Sequence, residues 1–135
     1  MNEVLHVITI PGNPVPLKRP RLGKGNVYDS QKKLKNDIAL MIKCSLTSSY
    51  SPTVLPVTVS MAFFMPIGRA VSKVKKQNML NKPHYIRPDI DNLIKFYLDI
   101  CNGVLYRDDA QVYTINASKL YSNSPRTEIT IAKHS

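Results

Sequence analysis

Hydrophobic and polar residues alternate from Val4 to Ile10, mostly β-branched, and Pro11-Gly12 closes the run; the pattern predicts a strand. From Asn13 to Asn26 the alternation stops. That segment contains LKRPRLGKG, and its prolines and basic side chains predict an extended arm or loop rather than a core element. Asp29 or Ser30 then offers an N-cap for a helix reaching about Leu46. Leu34, Ile38, Met41, Ile42 and Ser45 recur along it at helical spacing, with Lys32, Lys33 and Lys35 on the outer side. Val57 to Phe64 predicts a second strand, with Val57, Val59, Met61 and Phe63 on one face. Phe64 and Met65 predict that both faces are covered near its end.

Pro66 to Pro88 is long and basic. Its centre, SKVKKQNML, predicts a short helix from Ser72, and NKPHYIRP returns extended. A connection of this length in a small domain is usually functional or disordered, and mobility in the unbound protein is expected. Ile90 to Cys101 is the strongest helical pattern, with Ile90, Leu93, Ile94, Tyr97, Leu98 and Cys101 on one stripe and Asn102-Gly103 as its stop. Gln111 to Tyr121 and Thr127 to Lys133 predict strands joined as a hairpin through SNSPR. The expectation is one α+β domain over residues 1–135: a small mixed sheet of about four strands with two main helices packed on it.

Composition adds a polyanionic partner. The formal net charge is +10. The Lys and Arg residues do not line one long amphipathic helix, so nucleic acid is favoured over a membrane surface. No apolar run reaches the length of a membrane span, and the first residues read as a strand rather than a signal peptide. A cytoplasmic protein is expected, with no membrane partner and no nucleotide cofactor. Cys44 and Cys101 fall in apolar stretches and are expected as buried free thiols. His6, His84 and His134 are dispersed and give no zinc spacing.

Against this positive background, four of the nine carboxylates sit in two tight pairs, Asp89/Asp91 and Asp108/Asp109. Gathered acids repel, and a bound cation, a shared proton or flanking basic groups must offset the repulsion. Pro88 keeps the chain extended as it enters Asp89. The carboxylates of Asp89 and Asp91 converge only if Asp89 is still pre-helical, at the N-cap. The turn at Gly103 then offers a way to bring Asp108-Asp109 back toward the start of the helix or its neighbourhood. Oxygen ligands without His or Cys suit magnesium or manganese. Each feature also has an ordinary reading. An Asp at a helix start caps it, Asp91 and Lys95 have the i, i+4 spacing of a surface ion pair, and Asp108-Asp109 suits a polar turn.

The stretch RPDIDNLIKFYLDICNGVLYRDDAQV closely resembles the signature of the RusA-type Holliday-junction resolvases: a paired D-x-D-N, a Lys four residues on and a downstream D-D-A-Q-V. PGNPVPLKRPR with VYD, and SKVKKQNML, resemble the family's N-terminal and basic-loop segments, so the likeness runs nearly the whole chain. The resemblance implies Asp89, Asp91 and Asp109 as metal-binding catalytic carboxylates, with Asp108 supporting, Lys95 as the essential lysine and Asn92 as an orienting residue. One position departs: residue 88 is Pro where the bacterial founder type has a basic residue, and Arg87 stands one earlier.

It implies a magnesium-dependent endodeoxyribonuclease that resolves four-way DNA junctions by paired nicking in recombination and repair, in a host or a prophage setting. A junction's two-fold symmetry and a single acidic cluster per chain imply a homodimer. Lys18, Arg19, Arg21, Lys24, Lys73, Lys75, Lys76, Lys82 and Arg87 are the expected phosphate contacts. Two alternatives share much of this pattern: a general branched-DNA or flap nuclease with the same site, and a DNA-binding module without catalysis.

Overall fold

The structure, a computed structural model, describes residues 2–19, 21–23 and 25–134. Its frame is a four-stranded sheet in the order β1-β6-β4-β5, formed by β1 (Asn2–Pro11), β4 (Val57–Met65), β5 (Val112–Tyr121) and β6 (Arg126–His134). A short second sheet pairs β2 (Arg21–Gly23) with β3 (Asn26–Tyr28), so part of the predicted arm is a small hairpin. The helices are α1 (Lys32–Ser45), α2 (Lys73–Met79) and α3 (Ile90–Cys101). The α+β class, the mixed sheet and the two main helices are as expected from sequence.

β4 is the centre of the core. Val57, Val59, Met61, Phe63 and Met65 are all buried on its inner face, as their alternation requires. On the other face Phe64 is covered by the Arg126 guanidinium, 3.8 Å from the ring centroid. β4 pairs antiparallel with β6 and parallel with β5. The predicted hairpin of β5 with β6 is therefore wrong: β4 lies between them. The SNSPR turn passes over the end of β4, where Ser122 N–H donates to the Met65 carbonyl at 2.9 Å. Alternation reports which side of a strand is buried and says nothing of which strand lies beside it.

α3 lies against this sheet. Leu93, Phe96, Tyr97, Ile100 and Cys101 are buried, and Tyr97 packs on Phe63 with centroids 5.8 Å apart. Burial pushes the Cys101 thiol up to about 12. The buried arc is rotated from the predicted stripe, and Ile90, Ile94 and Leu98 are only half-buried. Cys44, by contrast, is exposed.

α1 corrects two further expectations. Its N-cap is Gln31, not Asp29 or Ser30, and Gln31 does not cap with its side chain. Asp29 Oδ1 instead accepts from Gln31 N–H at 2.9 Å. Lys35, expected outside, turns inward. Its ammonium donates to Asp29 at 2.8 Å and to Asp99 on α3 at 3.3 Å, tying the two helices together. Lys35 lowers the Asp29 carboxyl below its ordinary value through that hydrogen bond. Asp29 therefore contributes stability above its unfolded value near 3.8 and loses it as pH falls through the lower folded value. Because both acids are partly exposed, Lys35→Met should lower the denaturant midpoint only slightly at neutral pH. The difference from wild type should shrink in acid below that window. An equal difference at both pH values would remove the ion network from the account.

Candidate active site

The local sequence sets the geometry of the first acid pair. Asp89 is the N-cap of α3, with φ −69 and ψ 141, so it is extended as Pro88 dictates. Its carboxylate makes no capping hydrogen bond. Asp91 lies in the first helical turn, exposed, with Oδ1 accepting from Asn92 N–H at 2.9 Å. The backbone N–H groups at the helix start favour both charges. The ion pair that Asp91 and Lys95 could form is absent from the ion pairs of the described residues.

That freedom sets the acid pairs apart. Glu3, Asp29, Asp37, Asp99 and Glu128 each hold a Lys or Arg within ion-pair distance. Among the described residues the remaining acids, Asp89, Asp91, Asp108 and Asp109, have no such partner, on a chain of net charge +10.

Asp89 stands between two grooves. One, of about 730 Å³, is lined by Asp89, Asp91, Arg87, Tyr85 and Lys119 among others. The second, of about 410 Å³, is lined by Pro16, Leu17, Arg87, Pro88, Asp89 and Asn92. The N-terminal arm forms its far wall because it is docked at fixed points. Leu17 N–H donates to the Asn92 carbonyl at 2.9 Å. The buried Gln31 amide accepts from Lys18 N–H and donates to the Pro16 carbonyl, both at 2.9 Å. Exposed Lys18 and Arg19 are thereby carried beside the acid motif. Arg87 lines both grooves. Lys73, Lys75 and Lys82 are exposed and Lys76 is half-buried, on or after α2, whose cap is Ser72 as predicted. Arg21 is on β2. Lys24 lies outside the described residues.

Asp108 and Asp109 do not return to the start of α3. The helix ends at Asn102 and turns at Gly103, whose φ is +80. Val104, Leu105 and Tyr106 then bury themselves at the C-terminal end of α3, where the Tyr106 hydroxyl donates to the Leu98 carbonyl at 3.0 Å. The following acids are held there, beside Asp99. Partial desolvation pushes the Asp109 carboxyl up, helped by its hydrogen bond to Asp108 and the negative charges of Asp108 and Asp99. Asp89 and Asp99 are separated by ten residues of helical rise, about 15 Å.

The expected convergence of Asp89, Asp91 and Asp109 within one chain is thus corrected. Among the described residues no three acid, imidazole or thiol side chains gather as a cation site. Asp108 instead shapes its own turn. Its carboxylate accepts from Ala110 N–H at 3.0 Å, while Gln111 reaches back to its N–H at 2.8 Å. Asn92 takes part through its backbone, whose carbonyl receives the arm.

The profile of the family described as Endodeoxyribonuclease RusA matches residues 11–132. The chain belongs to the RusA endodeoxyribonuclease family. It is also 32% identical over 136 residues to the uncharacterized protein YqaN of Bacillus subtilis (strain 168), covering 91% of this chain and 92% of that one. At family level the activity is endonucleolytic cleavage of DNA. Among the described residues no helix is long and apolar enough to cross a membrane.

In this RusA-family chain the D-x-D-N motif is held by a lysine that sequence reasoning missed. Lys119 Nζ donates to the carbonyls of Ile86 and Pro88 at 2.8 and 2.7 Å, fixing the backbone just before Asp89. The signal was present: Ile115, Ala117, Lys119 and Tyr121 share the inward face of β5, and an inward lysine needs acceptors. Lys119→Met keeps the aliphatic stem and removes both bonds. Amide exchange at His84, whose N–H is bonded to the Lys119 carbonyl at 3.0 Å, should then quicken roughly ten-fold, with the core amides of β4 unchanged. Unaltered protection at His84 would show that something else holds this loop.

Proposed function

We propose that this protein is a magnesium-dependent, homodimeric endonuclease that resolves four-way DNA junctions by paired nicking. The observation that supports it best is the state of Asp89 and Asp91. Two carboxylates free of ion pairs, Asp89 with no capping bond and Asp91 accepting from Asn92 N–H, line one groove at a helix N-terminus, beside a docked basic arm. The donor set is all oxygen, which fits a hard divalent cation, magnesium or manganese. Such a cation, when bound, supplies charge neutralisation at the phosphate and a lowered pKa for the attacking water.

The chain's own residues do the rest. Lys18, Arg19 and Arg87 grip the backbone on either side of the acids and set its register. The extended backbone at Asp89, pinned through Lys119, turns the two carboxylates toward the same phosphate. Lys95, exposed one turn beyond Asp91, offers its ammonium to charge developing on the phosphate or the leaving oxygen.

Asp109 completes the triad in this reading only from a second subunit. A two-fold axis crossing α3 near its middle lays two such helices antiparallel. The start of each then meets the end of the other, which cancels the separation of about 15 Å. The half-buried strip of Ile94 and Leu98, and Ile115 on edge strand β5, suits such a contact. Both sites of the dimer then contain one subunit's Asp89 and Asp91 and the other's Asp109.

Asp91→Asn should lower magnesium-dependent cleavage of a mobile four-way junction by at least roughly a hundred-fold, and Asp109→Asn likewise. Wild-type cleavage by either variant would remove that residue from the site. Mixing the two inactive variants should restore nicking. A shared site leaves one intact pair in each mixed dimer, whereas a site built within one chain leaves none. Competition among junction, flap and duplex substrates separates resolution from general branched-DNA cleavage.

Junction affinity should fall steeply with salt. Replacing Lys18, Arg19, Lys73 and Lys75 together by Ala should reduce the slope of log K against log salt by about 3 to 4, at roughly 0.9 per lost phosphate contact. An unchanged slope would reject this map of the DNA path.

A further inference from the structure

Tyr85 is 86% exposed, more than any other large apolar side chain among the described residues. Its exposure is not a matter of a loose loop. On one side His84 N–H donates to the Lys119 carbonyl at 3.0 Å, and the buried His84 ring packs on Tyr121 with centroids 4.9 Å apart. On the other, the Lys119 ammonium holds the Ile86 carbonyl at 2.8 Å. The chain therefore fixes the backbone on both sides of a ring that faces water. That ring lines the same groove of about 730 Å³ as Asp89, Asp91 and Arg87.

We propose that Tyr85 is a stacking platform for one unstacked nucleobase beside the scissile phosphate, and that it gives the enzyme its preference for branched DNA over plain duplex. This rests on the nuclease reading above and adds a base-binding site to it. A phenol ring beside cationic and carboxylate groups matches the two halves of a nucleotide. Arg87 takes the phosphate and the ring takes the π-face, which every base offers. Within a duplex both faces of a base are covered by its neighbours, so Tyr85 has nothing to bind. At the crossing point of a four-way junction the stack is interrupted and a base leaves it at lower cost. Discrimination by shape then needs no base-edge hydrogen bonds, and the site tolerates any sequence at that position.

The test uses the full chain without divalent cation, so that substrates stay intact. 5-Iodouracil is placed at the crossing point of a four-way junction and, in a control, at the same sequence in duplex. Irradiation should cross-link Tyr85 to the junction and not to the duplex. Tyr85→Ala should abolish that cross-link and weaken junction binding roughly ten-fold, with duplex binding unchanged; Tyr85→Phe should keep wild-type affinity. Equal loss on junction and duplex, or a smaller sedimenting species for Tyr85→Ala, would overturn the proposal and make Tyr85 a general or subunit contact. Unaltered binding by Tyr85→Ala, with wild type still cleaving junctions in magnesium, would sink the stacking site alone. Failure of wild type to cleave any branched DNA would sink the nuclease reading and this inference with it.

Discussion

The rigidity of α3 governs what this molecule can do. Leu93, Phe96, Tyr97 and Cys101 are buried to within a percent or so and lock the helix against β4. Burying each large side chain is worth roughly 1.5–3 kcal/mol, so the helix cannot tilt or slide without losing several of them together. Its start carries Asp89 and Asp91. Its end anchors Val104, Leu105 and Tyr106, and through them Asp109. The distance between the two acid groups is therefore a property of the core, and small loop movements do not close it. Any arrangement that joins them has to come from another molecule rather than from flexing of this one.

Electrostatics sharpens the same point. In a chain of net charge +10, an idle acid readily finds a lysine or arginine. Asp29, Asp37, Asp99, Glu3 and Glu128 all do so. Asp89 and Asp91 do not, although Lys95 lies one turn away and Arg87 two residues before Asp89. In the proposed site, acids kept free among surrounding cations would draw in a phosphate backbone and leave a gap for a small cation. The Lys119 amine has a different part: two carbonyl oxygens occupy it, so it shapes the loop without neutralising the acids.

Much of this is readable from periodicity and turn chemistry. α3 begins and ends at Ile90 and Cys101 as its stripe and the Asn-Gly stop require, and Ser72 caps α2. Asp89 at the N-cap follows from Pro88. What fails is what local pattern does not encode. A β5–β6 hairpin is the natural inference from adjacency in sequence, but β4, the most buried strand, takes a neighbour on each edge. A turn at Gly103 can reverse the chain toward the helix start, yet the burial of Tyr106 decides where the reversed chain is pinned. Position on α1 assigns Lys35 to solvent, and its two carboxylate partners lie in other elements.

In the proposed dimer, the two ends of α3 complement one another. One end collects the docked arm, the Lys119-pinned loop, Arg87 and two carboxylates. The other offers Asp109, whose carboxyl is pushed up by partial desolvation and by Asp108 and Asp99, and whose charged form a cation would favour. An isologous contact repeats each junction of unlike ends twice, related by the two-fold axis. That is also the symmetry of the opposing strands in a four-way junction. On this reading a lone subunit holds an incomplete ligand set, so assembly and competence to cut are one event, and both cuts become available together. The separation that defeats a site within one chain is then what couples the two nicks.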